Sequence, residues 1–326
     1  MGDESGPGPA PPPRPGRGAK ASNWGRWGED DEIGLLNLQD ERKVLEAVGR
    51  VRHGVVVSLG QVIGRAEHAD PVWPGRLPAQ HRMVKTWAEY HTGRVKAPLG
   101  GVSFSSDDIQ MSLHGGTHVD ALGHVFHEDR LYNGREAAST VGGLAHGSVR
   151  ALAERGIVLP AVLADLPRRF GDACAQRGFH VTAAMVEACL AAQGATLAPG
   201  SALLLRTGWI GRHFAGRTGY GPDPDYNEPG LTADPETVAM FADRDIVLLG
   251  TDTLGNEQTW SDSSGHFQPL HRVLIRDLGV IFLEILDLDP LAQACARHGQ
   301  YEFCLMASPL KIQGGTASPV NPLAIL

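Results

Sequence analysis

Four short apolar runs constrain this chain most: 54–59 (GVVVSL), 202–206 (ALLLR), 246–249 (IVLL) and 279–286 (GVIFLEIL). Each has the length of a strand and is bounded by polar or turn residues, so each predicts a buried β-strand. Helical patterns fall between them. From Asp40 to Val48 the apolar residues Val44, Leu45 and Val48 share a face, and Gly49 is a stop signal. Thr182 suits the N-cap of a helix over 183–193 that Gly194 ends. Asp234 and Pro235 suit the start of another over 235–242. Strands mixed with helices predict an α/β or α+β layer architecture.

The length of 326 residues is ample for one large core. A net charge of −8 provides no basic footprint for a nucleic acid. No apolar run approaches the roughly 18 residues of a membrane span, and no apolar signal segment is seen near residue 1. Residues 1–18 hold 11 Gly or Pro, so 1–21 is expected to be a disordered tail and 22–326 a single domain. Cys174, Cys189, Cys295 and Cys304 form no C-x-x-C pair. Four reduced thiols in a cytoplasmic protein are expected. Residues 211–231 read as a long irregular loop with a possible bearing on specificity.

Histidine carries the chemical signal. Four of the 14 fall between 114 and 127, namely His114, His118, His124 and His127. An even spread would place about 0.6 there. Gly115 and Gly116 argue against a helix across His114 and His118. In an extended chain His118 and Asp120 point to one side, and the glycines let His114 turn in beside them. Imidazoles with a carboxylate suit Zn, Mn or Fe in an open site, and no thiolate is present to close it. HExxH, GxSxG, P-loop and GxGxxG patterns are absent. Glu284 interrupts the apolar run 279–286; a carboxylate there is costly unless it lies on an edge strand, pairs or binds metal. His271, thirteen residues earlier, is a candidate to meet it.

The stretch His114-Gly-Gly-Thr-His118-Val-Asp120-Ala-Leu-Gly-His124 resembles the cyclase family, which includes bacterial kynurenine formamidases and isatin hydrolases. The family pattern H-x-G-T-H-x-D-x-P-x-H is matched except that Leu122 stands for proline. The segments Trp24 to Asn37, Leu203 to Trp209, His271 to Ile275 and Gly279 to Glu284 also resemble the family, so the likeness covers about residues 22–326. It implies a swivelling β/β/α fold with a mixed, partly closed sheet flanked by helices, in a homodimer. It implies His114, His118 and Asp120 as metal ligands, with His271 and Glu284 completing a second metal position or holding the water. His124 would transfer protons and Thr117 would support a ligand. The expected activity is metal-dependent hydrolysis of an amide, lactam or related C–N bond, or of a lactone, in a small-molecule substrate, with Zn or Mn as cofactor.

Trp24, Trp27 and Trp209 are candidates to line an aromatic pocket, against simple packing onto the core. Asp252 reads as a turn cap more than a substrate contact. His81 and His213 are weaker pocket candidates, and His127 has no defined role. Two other readings compete. A non-haem Fe(II) oxygenase would use His118, Asp120 and a distal His such as His266, with Arg276 for an oxoacid. A non-catalytic metal-binding module would leave His124 without work.

Overall fold

A computed structural model describes residues 22–64, 73, 75–214, 227–262 and 264–326. The 1–21 tail, the 215–226 part of the long loop and the His213 side chain lie outside the described residues. The core is a mixed, curled nine-stranded sheet flanked by helices, the partly closed α/β architecture expected above. In spatial order its strands are Val56–Ser58, Leu323–Ile325, Glu302–Ala307, Ile157–Asp165, Ala202–Arg206, Leu248–Thr251, Ile281–Glu284, His118–Asp120 and Ala317–Pro319.

The four from Ile157–Asp165 to Ile281–Glu284 run parallel. They are buried almost throughout, which is why their sequences read as continuous apolar runs and not as alternation. Helices Ala183–Gln193 and Pro235–Arg244 connect three of them. A π-helical segment, His271–Leu278, leads into the fourth. Antiparallel strands complete both flanks.

The caps predicted at Thr182 and Asp234 form, and Asp40 caps its helix as well. Asp40 accepts from Lys43 N, Thr182 from Met185 N, and Asp234 from Thr237 N. Gly194 ends its helix at φ +65. The 235 helix extends two residues past its expected end, to Arg244, where Asp245 adopts φ +50 and is gripped by Arg26 at 2.7 and 3.1 Å. The 246–249 strand is displaced to Leu248–Thr251. Ile246 and Val247 are buried too: Ile246 N still bonds to Phe241 O of the helix, whereas Val247 donates to Ser201 O and accepts from Ile281 N just ahead of the strand. The four cysteines are free and buried, as packed thiols should be. Burial pushes Cys189 and Cys295 up to about 12.

Candidate metal centre

The centre sits at the carboxyl ends of the parallel strands, where open α/β sheets bind ligands. Strand His118–Asp120 forms as expected, so His118 and Asp120 share a face. Gly116 takes φ +62 and turns the chain so that His114 returns to them. His114 Nδ1 lies 2.8 Å from Asp120 Oδ1, and His118 Nε2 lies 3.4 Å from the same oxygen. Strand Ile281–Glu284 is interior, between Leu248–Thr251 and His118–Asp120, so Glu284 is not an edge residue facing solvent. It stands in register opposite His118, with His118 Nε2 at 3.3 Å and His271 Nε2 at 3.5 Å from its oxygens.

Among the described residues, two groups bring donor atoms within 4.8 Å of one another: His114, His118 and Asp120, and Asp120, His271 and Glu284. They share Asp120. His118 Nε2 and both Asp120 oxygens are buried yet make no hydrogen bond of acceptable geometry. Buried polar atoms left so cost roughly 1–3 kcal/mol each, more when charged. A cation at their common focus would satisfy all three, so the residues fit a divalent metal.

Neighbours set which ring atom each histidine presents. His118 Nδ1 contacts Gly116 O at 2.9 Å, leaving Nε2 for the centre. His114 does the reverse, with Nε2 on Thr316 Oγ1 at 3.0 Å and Nδ1 inward. His271 Nδ1 meets Glu257 Oε1 at 2.7 Å, and Glu257 also accepts from the backbone N–H of Leu270 and His271. Burial pulls the His118 and His271 rings down, but carboxylates outweigh it and raise both to about 10. For His118 these are Asp120 and Glu284; for His271 they are Glu257 and Glu284. A metal would replace those protons with its own charge.

His124 lies beside the group, its ring centroid 4.1 Å from that of His114. Burial foremost, with the charges of His114, His271 and Arg76, pushes it down to about 3 against the pull of Asp120. Burial and these cations therefore favour its neutral form. Leu122, where the family pattern has proline, opens the 3₁₀ turn Leu122–His124 behind an extended Ala121 (ψ 150), the backbone that proline also requires.

Thr117 donates to Ile285 O at 2.6 Å and accepts from Gln61 N at 2.8 Å. That places it as a brace behind Glu284. Ile285 itself takes φ +59, a conformation strained for a β-branched residue, and its N–H is held by Thr253 O at 3.0 Å.

Beside His124 and His271 a cavity of about 620 Å³ opens, with Phe126 and Phe267 among its walls. The expected tryptophans do not line it. Trp24 donates to Arg276 O at 2.7 Å and borders a separate cavity of about 1040 Å³. Trp27 packs on the main core under Arg26, and Trp209 packs with Ile210, Leu254 and Ile285. Trp24 and Trp27 stay half-buried in the entry segment, and Trp209 stays half-buried beside Ile285. Trp73 and Trp260 instead flank Phe267, with ring centroids at 5.6 and 5.2 Å.

His266 lines the cavity but is exposed and joins neither donor group, so the distal ligand of an oxygenase is not in place. Arg276 is buried and engaged by Asp277 and by two carbonyl oxygens. Asp252 accepts from Thr207 N, Thr207 Oγ1 and Gly208 N, the capping role expected of it. His81 pairs with Asp107 at 2.6 Å on an exposed two-stranded ribbon. His127 is half-buried, 3.6 Å from Glu128, and outside both donor groups. Glu257, Thr316, Asn256 and Thr253 were not anticipated. Glu257 and its neighbours lie in a polar stretch, 251–259, that is buried throughout, a burial no apolar pattern announces.

Residues 55–258 match the family described as "Putative cyclase". The chain is 28% identical over 253 residues to the kynurenine formamidase of Salinibacter ruber, covering 78% of this chain and 90% of that one. It is 25% identical over 231 residues to the isatin hydrolase of Roseibium aggregatum, covering 69% and 76%. A crystal structure described as a novel cyclase superposes with a TM-score of 0.82 at 32% identity, over 94% of this chain and 99% of that one.

Proposed function

Since this chain belongs to the cyclase family, we propose that it is a metal-dependent hydrolase cutting an amide, lactam or related carbonyl C–N bond, with a lactone ester as the close variant. One observation carries the reading: buried, unsatisfied donor atoms of His118 and Asp120 converge with His114, His271 and Glu284 beside a cavity that also holds His124. The formamidase and hydrolase names of similar chains support C–N chemistry.

His114, His118 and Asp120 would hold the metal, with His271 and Glu284 completing the set. The mixed imidazole and carboxylate donors suit Zn or Mn. A divalent cation bound there would supply Lewis-acid chemistry, a more acidic water and a polarised carbonyl. His124 accepts the proton of the attacking water as a neutral imidazole and returns it to the leaving nitrogen. Glu257 fixes the His271 ring, Thr316 fixes that of His114, and Thr117 braces the backbone behind Glu284.

The oxygenase reading loses its distal ligand in His266. A non-catalytic module leaves His124 and its cavity unexplained. Residues 22–326 form a single domain, which the one dominant core cluster supports. The four buried free thiols support a reducing, cytoplasmic setting, and among the described residues no helix is long and apolar enough to cross a membrane. A homodimer is supported by the ribbon of Gln80–Lys85 and Ser106–Gln110, whose exposed Met83, Val84 and Ile109 need cover.

The test is a panel of formylated anilines, cyclic imides, lactams and lactones, run with wild type and His124→Ala. Wild type should turn over at least one class. His124→Ala should keep its metal and lose about 10²- to 10⁴-fold in rate. Unchanged turnover by the variant removes His124 from the chemistry, and no turnover of any class by wild type overturns the reading.

A further inference from the structure

The loop that follows strand Leu248–Thr251 buries an amide that the described residues satisfy only by half. Asn256 is fully buried and takes φ +60, in the left-handed region. Apart from glycine, Asn and Asp are among the few residues that occupy that region readily. Of these three, only Asn brings an amide, with a donor and an acceptor on one side chain.

Its donor is used and its acceptor is not. Nδ2 donates to Glu284 Oε1 at 3.4 Å, the oxygen that also faces His271 Nε2 at 3.5 Å. Oδ1 is buried and makes no hydrogen bond with a described residue. Turning the amide over would set Oδ1 against a carboxylate oxygen, acceptor against acceptor, so Glu284 fixes which way the side chain faces. The preceding residue lies against the cavity wall. A Cβ on Gly255 would come within 2.2 Å of Gln268 Nε2, and Gln268 lines the cavity beside His124 and His271. A buried acceptor destabilises the fold unless something donates to it. A water suits this place, because Asn256 Oδ1 and the Glu284 carboxylate together offer the two or more polar partners that a buried water needs.

We propose that Asn256 is a positioning residue of the candidate metal centre. Nδ2 aims the Glu284 carboxylate, and Oδ1 accepts a hydrogen from a water that Glu284 also holds. The aiming rests on the metal reading above; the contact between amide and carboxylate does not.

Two variants that suit the left-handed backbone test this. Asn256→Gly removes the amide and keeps the turn, and Asn256→Asp replaces the donor with a second carboxylate. Zn and Mn are titrated into each protein by calorimetry. Asn256→Gly should bind metal about tenfold more weakly than wild type, and the visible band of its Co(II)-loaded form should shift, because a carboxylate that has lost its aim presents a different ligand set. Metal affinity and Co(II) band both equal to wild type would leave Asn256 with a backbone role only and overturn the aiming. A crystal structure of metal-loaded wild type should place a water about 3 Å from Asn256 Oδ1; an Oδ1 without such a water overturns that half of the proposal. Without metal, Asn256→Asp should melt below Asn256→Gly at neutral pH, since it sets like charges side by side in the interior. If wild type binds no metal yet that order of melting holds, the proposed function fails and the contact stands. A melting temperature no lower than that of Asn256→Gly overturns the contact itself.

Discussion

Two cross-strand ionic pairs lie at the same end of this sheet, and they are built to opposite plans. Asp165 and Arg206 face each other across neighbouring parallel strands. Arg206 donates to Asp165 and to Asp289, each at 2.7 Å. That cluster is closed, with its cation supplied by the chain. Glu284 and His118 face each other across an antiparallel pair. Their cluster holds two carboxylates and three imidazoles, and it leaves His118 Nε2 and both Asp120 oxygens unsatisfied. Buried charge is tolerated where it is paired and hydrogen-bonded. The first cluster meets that condition by itself; the second meets it with a cation from outside.

The largest effect should come from opening the second cluster further. His118→Ala should lose bound metal and reduce turnover by about 10³-fold or more. Metal content by plasma emission and rates on the substrate panel check this; equal metal in variant and wild type would refute the ligand assignment. Chelation should lower the melting temperature of wild type and leave that of His118→Ala unmoved, because only a protein that binds the ion is stabilised by it.

The closed cluster should respond differently. Arg206→Met should cost about 3 kcal/mol in urea unfolding, because Asp165 is left buried without its partner. Its metal content should match wild type. Loss of metal in Arg206→Met would mean that the two clusters are coupled and the contrast between them false.

A smaller effect tests the brace between strand and site. Thr117→Val removes the donor to Ile285 O and should cost about 1–3 kcal/mol. It should also weaken metal binding about tenfold, with Thr117→Ser restoring both, if the hydroxyl holds Glu284 in place. A stability loss with unchanged metal affinity would reduce Thr117 to packing.

Much of this was legible in the sequence because it rests on local rules. The central strands show as apolar runs since both their faces are covered. His118 and Asp120 show as a pair since strand geometry alone puts alternate residues on one side. Glu284 stands out because nothing apolar around it can pair a charge. The supporting residues do not show in this way. Glu257 reaches His271 only through the buried polar path of 251–259, and Thr316 reaches His114 from 202 residues away. Gly230 looks like loop punctuation, yet a Cβ there would come within 2.2 Å of the Glu257 backbone, so the close approach exists only in three dimensions. The tryptophans stood open between pocket and core for a related reason: ring size predicts burial well and location poorly.

Ile285 ties the strain of the backbone to the aim of the site. Its φ of +59 suits glycine or asparagine far better than a β-branched side chain, and it directly follows Glu284. Relief of that strain by Gly or Asn would empty a buried position packed with Ile210, Leu254 and Trp209, a loss of about 2–5 kcal/mol against a strain of about 1–3. The small cluster around Ile285 therefore works as a clamp that keeps the chain in its turn behind Glu284.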